Sequence, residues 1–129
     1  LGMLAERFEA RGSGRVIGIT SVAGDRGRAS NYVYGSAKAG LSAFLSGLRN
    51  RMARGPVRVI TVKPGFVATR MTEGLPLNPR LTATPEAVAE AIWSADSRKR
   101  DVVYVKPVWR LVMAIIRALP EAIFKKTRL

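Results

Sequence analysis

Short runs dense in β-branched residues alternate along this chain with longer stretches in which apolar residues recur every three or four positions. Residues 15–20 (Arg15-Val16-Ile17-Gly18-Ile19-Thr20) follow the turn-forming Gly12-Ser13-Gly14 and read as a strand. Residues 57–62 read as a second strand and residues 101–105 as the last. Between them the period lengthens. Leu1, Leu4, Ala5 and Phe8 mark the apolar side of a helix over residues 1–10, with Glu6, Arg7 and Glu9 outside. Residues 31–54 read as one long helix with a stripe of Ala37, Leu41, Phe44, Leu45 and Leu48. Thr84-Pro85-Glu86 opens a third, with threonine as cap and proline in the first turn, burying Ala87, Val88, Ala91, Ile92 and Ala95.

The candidate chemistry lies where these elements meet. Tyr34 and Lys38 stand four positions apart and share one helix face. Ser21 ends the first strand, thirteen positions before the tyrosine. A free phenol with a pKa near ~10 is a poor base at neutral pH, and a neighbouring ammonium favours the phenolate. The three side chains therefore make a proton-transfer set: an acid/base phenol, a cation beside it and a hydroxyl to hold a carbonyl oxygen. Tyr-x-x-x-Lys alone is commonly a solvated helix face. The strand before Ser21 and the small, polar loop over residues 24–31 give it its context. A further stretch, Lys63-Pro64-Gly65-Phe66-Val67-Ala68-Thr69, follows the second strand. An ordinary strand-ending turn would also use Pro64 and Gly65.

Three segments, Ile19-Thr20-Ser21-Val22-Ala23-Gly24, Tyr34-Gly35-Ser36-Ala37-Lys38-Ala39-Gly40 and Pro64-Gly65-Phe66-Val67-Ala68-Thr69, stand in an order and spacing that resembles the short-chain dehydrogenase/reductase family. The resemblance runs to about Thr72 and loosens beyond. It implies an α/β fold, the C-terminal half of a Rossmann-like doubly wound parallel sheet. Residues 1–108 would be a partial catalytic domain and residues 109–129 a C-terminal helix of the same domain. It implies hydride transfer between NAD or NADP and a small-molecule carbonyl or secondary alcohol, with Ser21, Tyr34 and Lys38 as the catalytic set. Tyr34 and Lys38 would also meet the cofactor, Lys38 at the nicotinamide ribose. Pro64 and Gly65 would lie beside the nicotinamide, the Val67 backbone at its carboxamide, and the Thr69 hydroxyl nearby. Residues 70–81, punctuated by Gly74, Pro76 and Pro79, would be the substrate lid, and the tyrosine helix implies a homo-oligomer.

One large feature of the family is missing. No G-x-G-x-x-G turn occurs in the chain, nor a residue placed to read the adenosine ribose. The N-terminal dinucleotide-binding half is thus expected to be absent, and the chain to be the C-terminal half of a longer reductase. Without the neighbouring strands, low stability is expected of it alone. The alternative, of a different class, is an inactive truncated fragment serving as a subunit-interaction or membrane-associated module.

Composition narrows the chemistry. There is no cysteine and no histidine, which excludes disulfides, the usual zinc sites and a Ser-His-Asp triad; no metal is expected. The net charge is +13, but the basic residues are scattered and no recognition motif accompanies them, so nucleic acid is not an expected partner. The start carries neither the basic region nor the apolar core of a secretory leader, and a cytoplasmic setting is expected.

The tail is strongly apolar from Trp109 to Phe124, with Arg110, Arg117 and Glu121 on one face and Lys125, Lys126 and Arg128 after it. Interrupted by Arg117 and Pro120, it is too short to span a bilayer, but a basic amphipathic helix can lie on a membrane surface. With Asp25-Arg26-Gly27-Arg28 after the serine segment and Tyr32-Val33 before the tyrosine, the tail is similar to the decaprenylphosphoryl-2-keto-erythro-pentose reductases of actinobacterial cell-wall synthesis. That resemblance implies a lipid-linked keto sugar as substrate, peripheral membrane contact through the C-terminal helix, and a place at the inner face of the membrane.

Overall fold

A computed structural model describes residues 1–129. Helix α1 (Gly2–Arg11) leads into strand β1 (Gly14–Ile19), and a 3-10 turn (Val22–Gly24) and a loop carry the chain to α2 (Tyr32–Met52). Strand β2 (Val57–Pro64) is followed by the two-residue β3 (Phe66–Val67), a second 3-10 turn (Arg70–Thr72) and the two-residue β4 (Thr82–Ala83). Then come α3 (Pro85–Ser97), β5 (Val102–Val105), α4 (Val108–Ala118) and the short α5 (Glu121–Phe124).

The main sheet has the order β1-β2-β5, all parallel, with Gly14 opposite Val57, Ile19 opposite Val62 and Pro64 opposite Val105. Parallel neighbours need long crossovers, which α2 and α3 supply. β2, the central strand, is buried on both faces. Val57 and Val59 point to one side and join Ala5, Val16, Leu45, Leu48 and Met52 under α1 and α2. Ile60 and Val62 point to the other and join Val88, Ala95, Val103 and Val105 under α3. Helices on both faces of a parallel sheet make this a doubly wound α/β arrangement.

Strand positions and the Thr84 cap agree with the pattern read from the sequence; the Thr84 hydroxyl accepts from the Ala87 N–H at 3.1 Å. Three expectations need correction. In α1, Ala5 is buried and Phe8 packs over Gly14, where no side chain stands, but Leu1 and Leu4 are exposed. In α2 the buried stripe is Leu45, Leu48 and Met52, with Leu41 against it; Ala37 and Phe44 are exposed. Those two belong to a second stripe, with Val33 and Gly40, rotated by about a quarter turn from the first.

The tail is two helices rather than one. Leu119 is extended (φ −63°, ψ 128°), as a residue before proline is pushed to be, and α5 starts afresh after Pro120. α4 packs through Trp109 and Met113, and α5 through Phe124. No helix is long and apolar enough to cross a membrane.

Candidate active site

β1 and β2 end side by side, so whatever follows each strand collects at the carboxyl edge of the sheet, where ligands bind in folds of this kind. Thr20 ties the two ends together: its N–H donates to Val62 O at 2.8 Å and its hydroxyl to the same oxygen at 3.2 Å. Ser21, buried, caps the 3-10 turn, its Oγ accepting from the Ala23 N–H at 3.1 Å. That contact uses a lone pair and leaves the hydroxyl proton to donate elsewhere.

The serine turn then presses on α2. A Cβ at Gly24 would lie 2.7 Å from backbone atoms of Lys38 and Ala39, an approach that glycine alone permits. Tyr34 sits on the first turn of α2 with 45% of its surface exposed. Lys38 Nζ lies 5.6 Å from the centre of the Tyr34 ring and donates to Ile19 O at 3.3 Å. The lysine thus spans from the tyrosine to the end of the serine strand.

Pro64 closes β2, and the Gly65 N–H donates to Val105 O at 2.9 Å. The bare side of Gly65 faces the indole of Trp109, whose Nε1–H donates to Leu81 O at 3.1 Å and whose ring meets Phe66 edge-on at 5.8 Å. Val67 lies in β3, and its carbonyl accepts from the Thr72 hydroxyl at 2.7 Å; Thr69 precedes the following 3-10 turn.

Ser21, Tyr34, Lys38, Pro64, Gly65, Val67 and Thr69, picked out from three separate stretches, all line one cavity of about 500 Å³. A second hollow of about 560 Å³ lies along residues 68–82 and includes Thr69 but none of Ser21, Tyr34 and Lys38.

Other lining residues were not singled out from the sequence. Arg28 and Lys38 are the only charged side chains of the main cavity. Arg28 Nε and Asn31 Oδ1 are buried at its wall with no protein partner. Their place in the loop between Ser21 and Tyr34 was the one available cue. Trp109, read from the sequence only as part of the apolar tail, also lines it.

A buried polar network lies behind the site. Asp25, its side chain 2% exposed, accepts from Lys63 Nζ at 2.5 Å and from the Tyr104 hydroxyl at 2.6 Å. Burial, and then the Asp25 carboxylate, push the Tyr104 phenol up to about 12. No sequence signal pointed to these three, which lie 38 and 79 positions apart.

The sequence signature of short chain dehydrogenases matches residues 2–79. An uncharacterized oxidoreductase of Mycobacterium tuberculosis is 42% identical over 123 residues, 95% of this chain and 49% of that protein. One from Streptomyces coelicolor is 40% identical over 120 residues, 92% of this chain and 47% of that protein. Among solved structures, a short chain dehydrogenase from Burkholderia cenocepacia in complex with NADP superposes with a TM-score of 0.75 at 23% identity, over 88% of this chain and 48% of that one. The chain spans about half the length of the curated relatives it matches.

Proposed function

The chain belongs to the short-chain dehydrogenase family, and from that premise we propose that the protein containing it interconverts a carbonyl and a secondary alcohol by hydride transfer with NAD or NADP. One observation carries this reading: the proton-transfer set and the Pro64-Gly65 turn converge on a single cavity. The residues present fit the nicotinamide half of such a cofactor. The cavity is large enough for a ring and its ribose, its charged side chains are both cationic, and the buried polar atoms of Arg28 and Asn31 await partners. Lys38 would hold the ribose, with Pro64, Gly65, Val67 and Thr69 about the nicotinamide. When bound, the cofactor supplies or takes up the hydride.

The chain's own residues do the rest. Ser21 donates its hydroxyl proton in a hydrogen bond to the substrate oxygen and fixes its place. Tyr34 gives that oxygen a proton on reduction and removes it on oxidation. Lys38, whose ammonium lies over the tyrosine ring, sets a positive charge beside the group that exchanges the proton. In the complete reductase, Tyr34→Phe is expected to abolish NAD(P)H-dependent turnover while cofactor binding, followed by fluorescence, persists. Undiminished turnover would remove the assigned role.

A finer reading rests on the tail. α4 leaves Val108, Leu111 and Ile115 exposed in one row beside its buried face, and Lys125, Lys126 and Arg128 follow shortly after. An apolar row flanked by cations supports peripheral contact with an anionic membrane and a lipid-linked keto sugar as substrate. Leu111→Glu with Ile115→Glu should reduce co-sedimentation with phosphatidylglycerol vesicles; equal partitioning of variant and parent counts against the contact. The exposed row Val33, Ala37, Gly40 and Phe44 on α2 supports a homo-oligomer built on that helix.

A further inference from the structure

Arg26 joins the loop behind Ser21 to the C-terminal segment. Its Nη1 donates to two carbonyls at the end of α4, Ile116 O at 2.6 Å and Leu119 O at 2.7 Å. Its Nη2 pairs with Glu121 at 2.9 Å, and the guanidinium lies 3.7 Å from the centre of the Phe124 ring. The side chain is 15% exposed. One guanidinium therefore binds two carbonyls at the Leu119–Pro120 break, Ile116 O having otherwise only a long 3.4 Å bond from the Leu119 N–H, and stacks on the one buried residue of α5.

The adjacent residue is equally committed. Asp25 is held by Lys63, directly before the Pro64-Gly65 turn, and by Tyr104 of β5. Only the 3-10 turn separates this pair from Ser21, and that turn is stiff. Gly24 N–H donates to Ser21 O at 3.1 Å, Asp25 N–H to Val22 O at 3.0 Å and Ala23 N–H to Ser21 Oγ at 3.1 Å. Val22, inside the turn, packs on Trp109 and Met113 of α4.

We infer that Arg26 is a positioning residue for Ser21, and that the α4–α5 segment enters the reaction by fixing the serine turn through it. The inference rests on the reductase reading for its catalytic consequence, but not for the mechanical link. Glu121 is three-quarters exposed, so the ion pair adds little. The paired carbonyl contacts and the stack do the holding.

Two measurements on Arg26→Ala test it. Hydrogen exchange on the complete reductase should show faster exchange at residues 20–27 together with residues 114–124, while α3 stays protected. In the complete reductase kcat should fall roughly 10–100-fold, the scale expected for a slightly misplaced reacting group, with the cofactor Kd unchanged. Arg26→Lys, which retains the charge but not the planar guanidinium that stacks on Phe124 while bonding the carbonyls, should fall between parent and Arg26→Ala. Faster exchange confined to the tail, or an unchanged kcat, overturns the inference. If Arg26→Ala also exposes α3, the lysine variant decides by the same two criteria. A parent enzyme with no carbonyl turnover would overturn the reductase reading, and the exchange pattern would still decide the link.

Discussion

Gly65→Ala puts a single methyl group where the structure has no room. The added Cβ would lie 1.9 Å from Trp109 Nε1, 2.2 Å from Cε2 and 2.7 Å from Cδ1, against 3.4 Å for ordinary contact. The obstacle is a buried ring rather than the tip of a flexible chain: Trp109 is 6% exposed and bounded by Phe66 and Met113. Relief requires the indole to move, which breaks its hydrogen bond to Leu81 O. Overpacking costs about 1–3 kcal/mol and the lost bond about 0.5–1.5 kcal/mol, so a destabilisation of about 2–4 kcal/mol is expected.

Urea unfolding of the complete protein reads this as a lowered midpoint at unchanged slope. Tryptophan fluorescence adds a local signal, read as the difference lost in Trp109→Leu, because of the two tryptophans in this chain Trp93 is already exposed and only Trp109 can move from buried to wet. The cause is separable from a general weakness of the turn. Trp109→Leu alone opens a cavity, but in the double variant with Gly65→Ala the two changes should compensate in part, giving a coupling of about 1–2 kcal/mol. A midpoint within error of the parent, or strictly additive variants, would refute the steric argument.

Two further outcomes follow from single contacts. Thr84→Ala removes the side-chain cap of α3 and should cost about 1 kcal/mol in the same unfolding assay, with Thr84→Ser retaining most of it. For Tyr104, raised from 10.0 to about 12, the folded state holds a proton that the unfolded chain has released between those values. The stability it contributes is therefore complete below pH 10 and disappears as pH rises through 12. In a spectrophotometric titration one of the three tyrosines should ionise late, and Tyr104→Phe should remove that phase.

Much of the fold was legible because its signals are local. The strands read as ending at Thr20 and Val62, from β-branched runs stopped by turn residues, lie within two residues of the observed ends at Ile19 and Pro64, and Thr84-Pro85 announces its helix outright. That Ser21, Tyr34, Pro64 and Gly65 would meet at one cavity was legible for a related reason: each sits on, or directly beside, a strand end or first helical turn whose sequence declares it, and Lys38 follows Tyr34 by one turn. What stayed hidden depends on tertiary choice. α2 carries two apolar rows, and periodicity does not say which one the sheet takes; Leu45, Leu48 and Met52 are inside while Ala37 and Phe44 are not. Pro120 was visible as an interruption, but not that Arg26 would satisfy the carbonyls at the break. Asp25, Lys63 and Tyr104 are each unremarkable in sequence and meet only because β2 and β5 are neighbours.

Two of the segments that line the cavity, the serine turn and the Pro64-Gly65 turn, are loops, and loops left to themselves open readily. Here each is pinned from outside its own motif. The serine turn is held by Arg26 on the tail and by Val22 against Trp109. The Pro64-Gly65 turn rests on Trp109, which also binds Leu81 at the far end of the segment 70–81, while Lys106 donates to Pro79 O and Arg80 O within it. Trp109 at the start of α4 and Lys106, two residues before that helix, therefore fix three loops relative to one another. Asp25 does the same at the rear. A carboxylate has two oxygens, and here one accepts from β2 and the other from β5. Replacing all three partners together by apolar residues of similar size would fill the space at comparable stability, but it would impose no particular spacing between the serine turn and the two strand ends; removing Asp25 alone would leave the Lys63 ammonium buried and unpaired. The buried charge is best understood as a geometric device, with its return in the placement of Ser21 rather than in net stability.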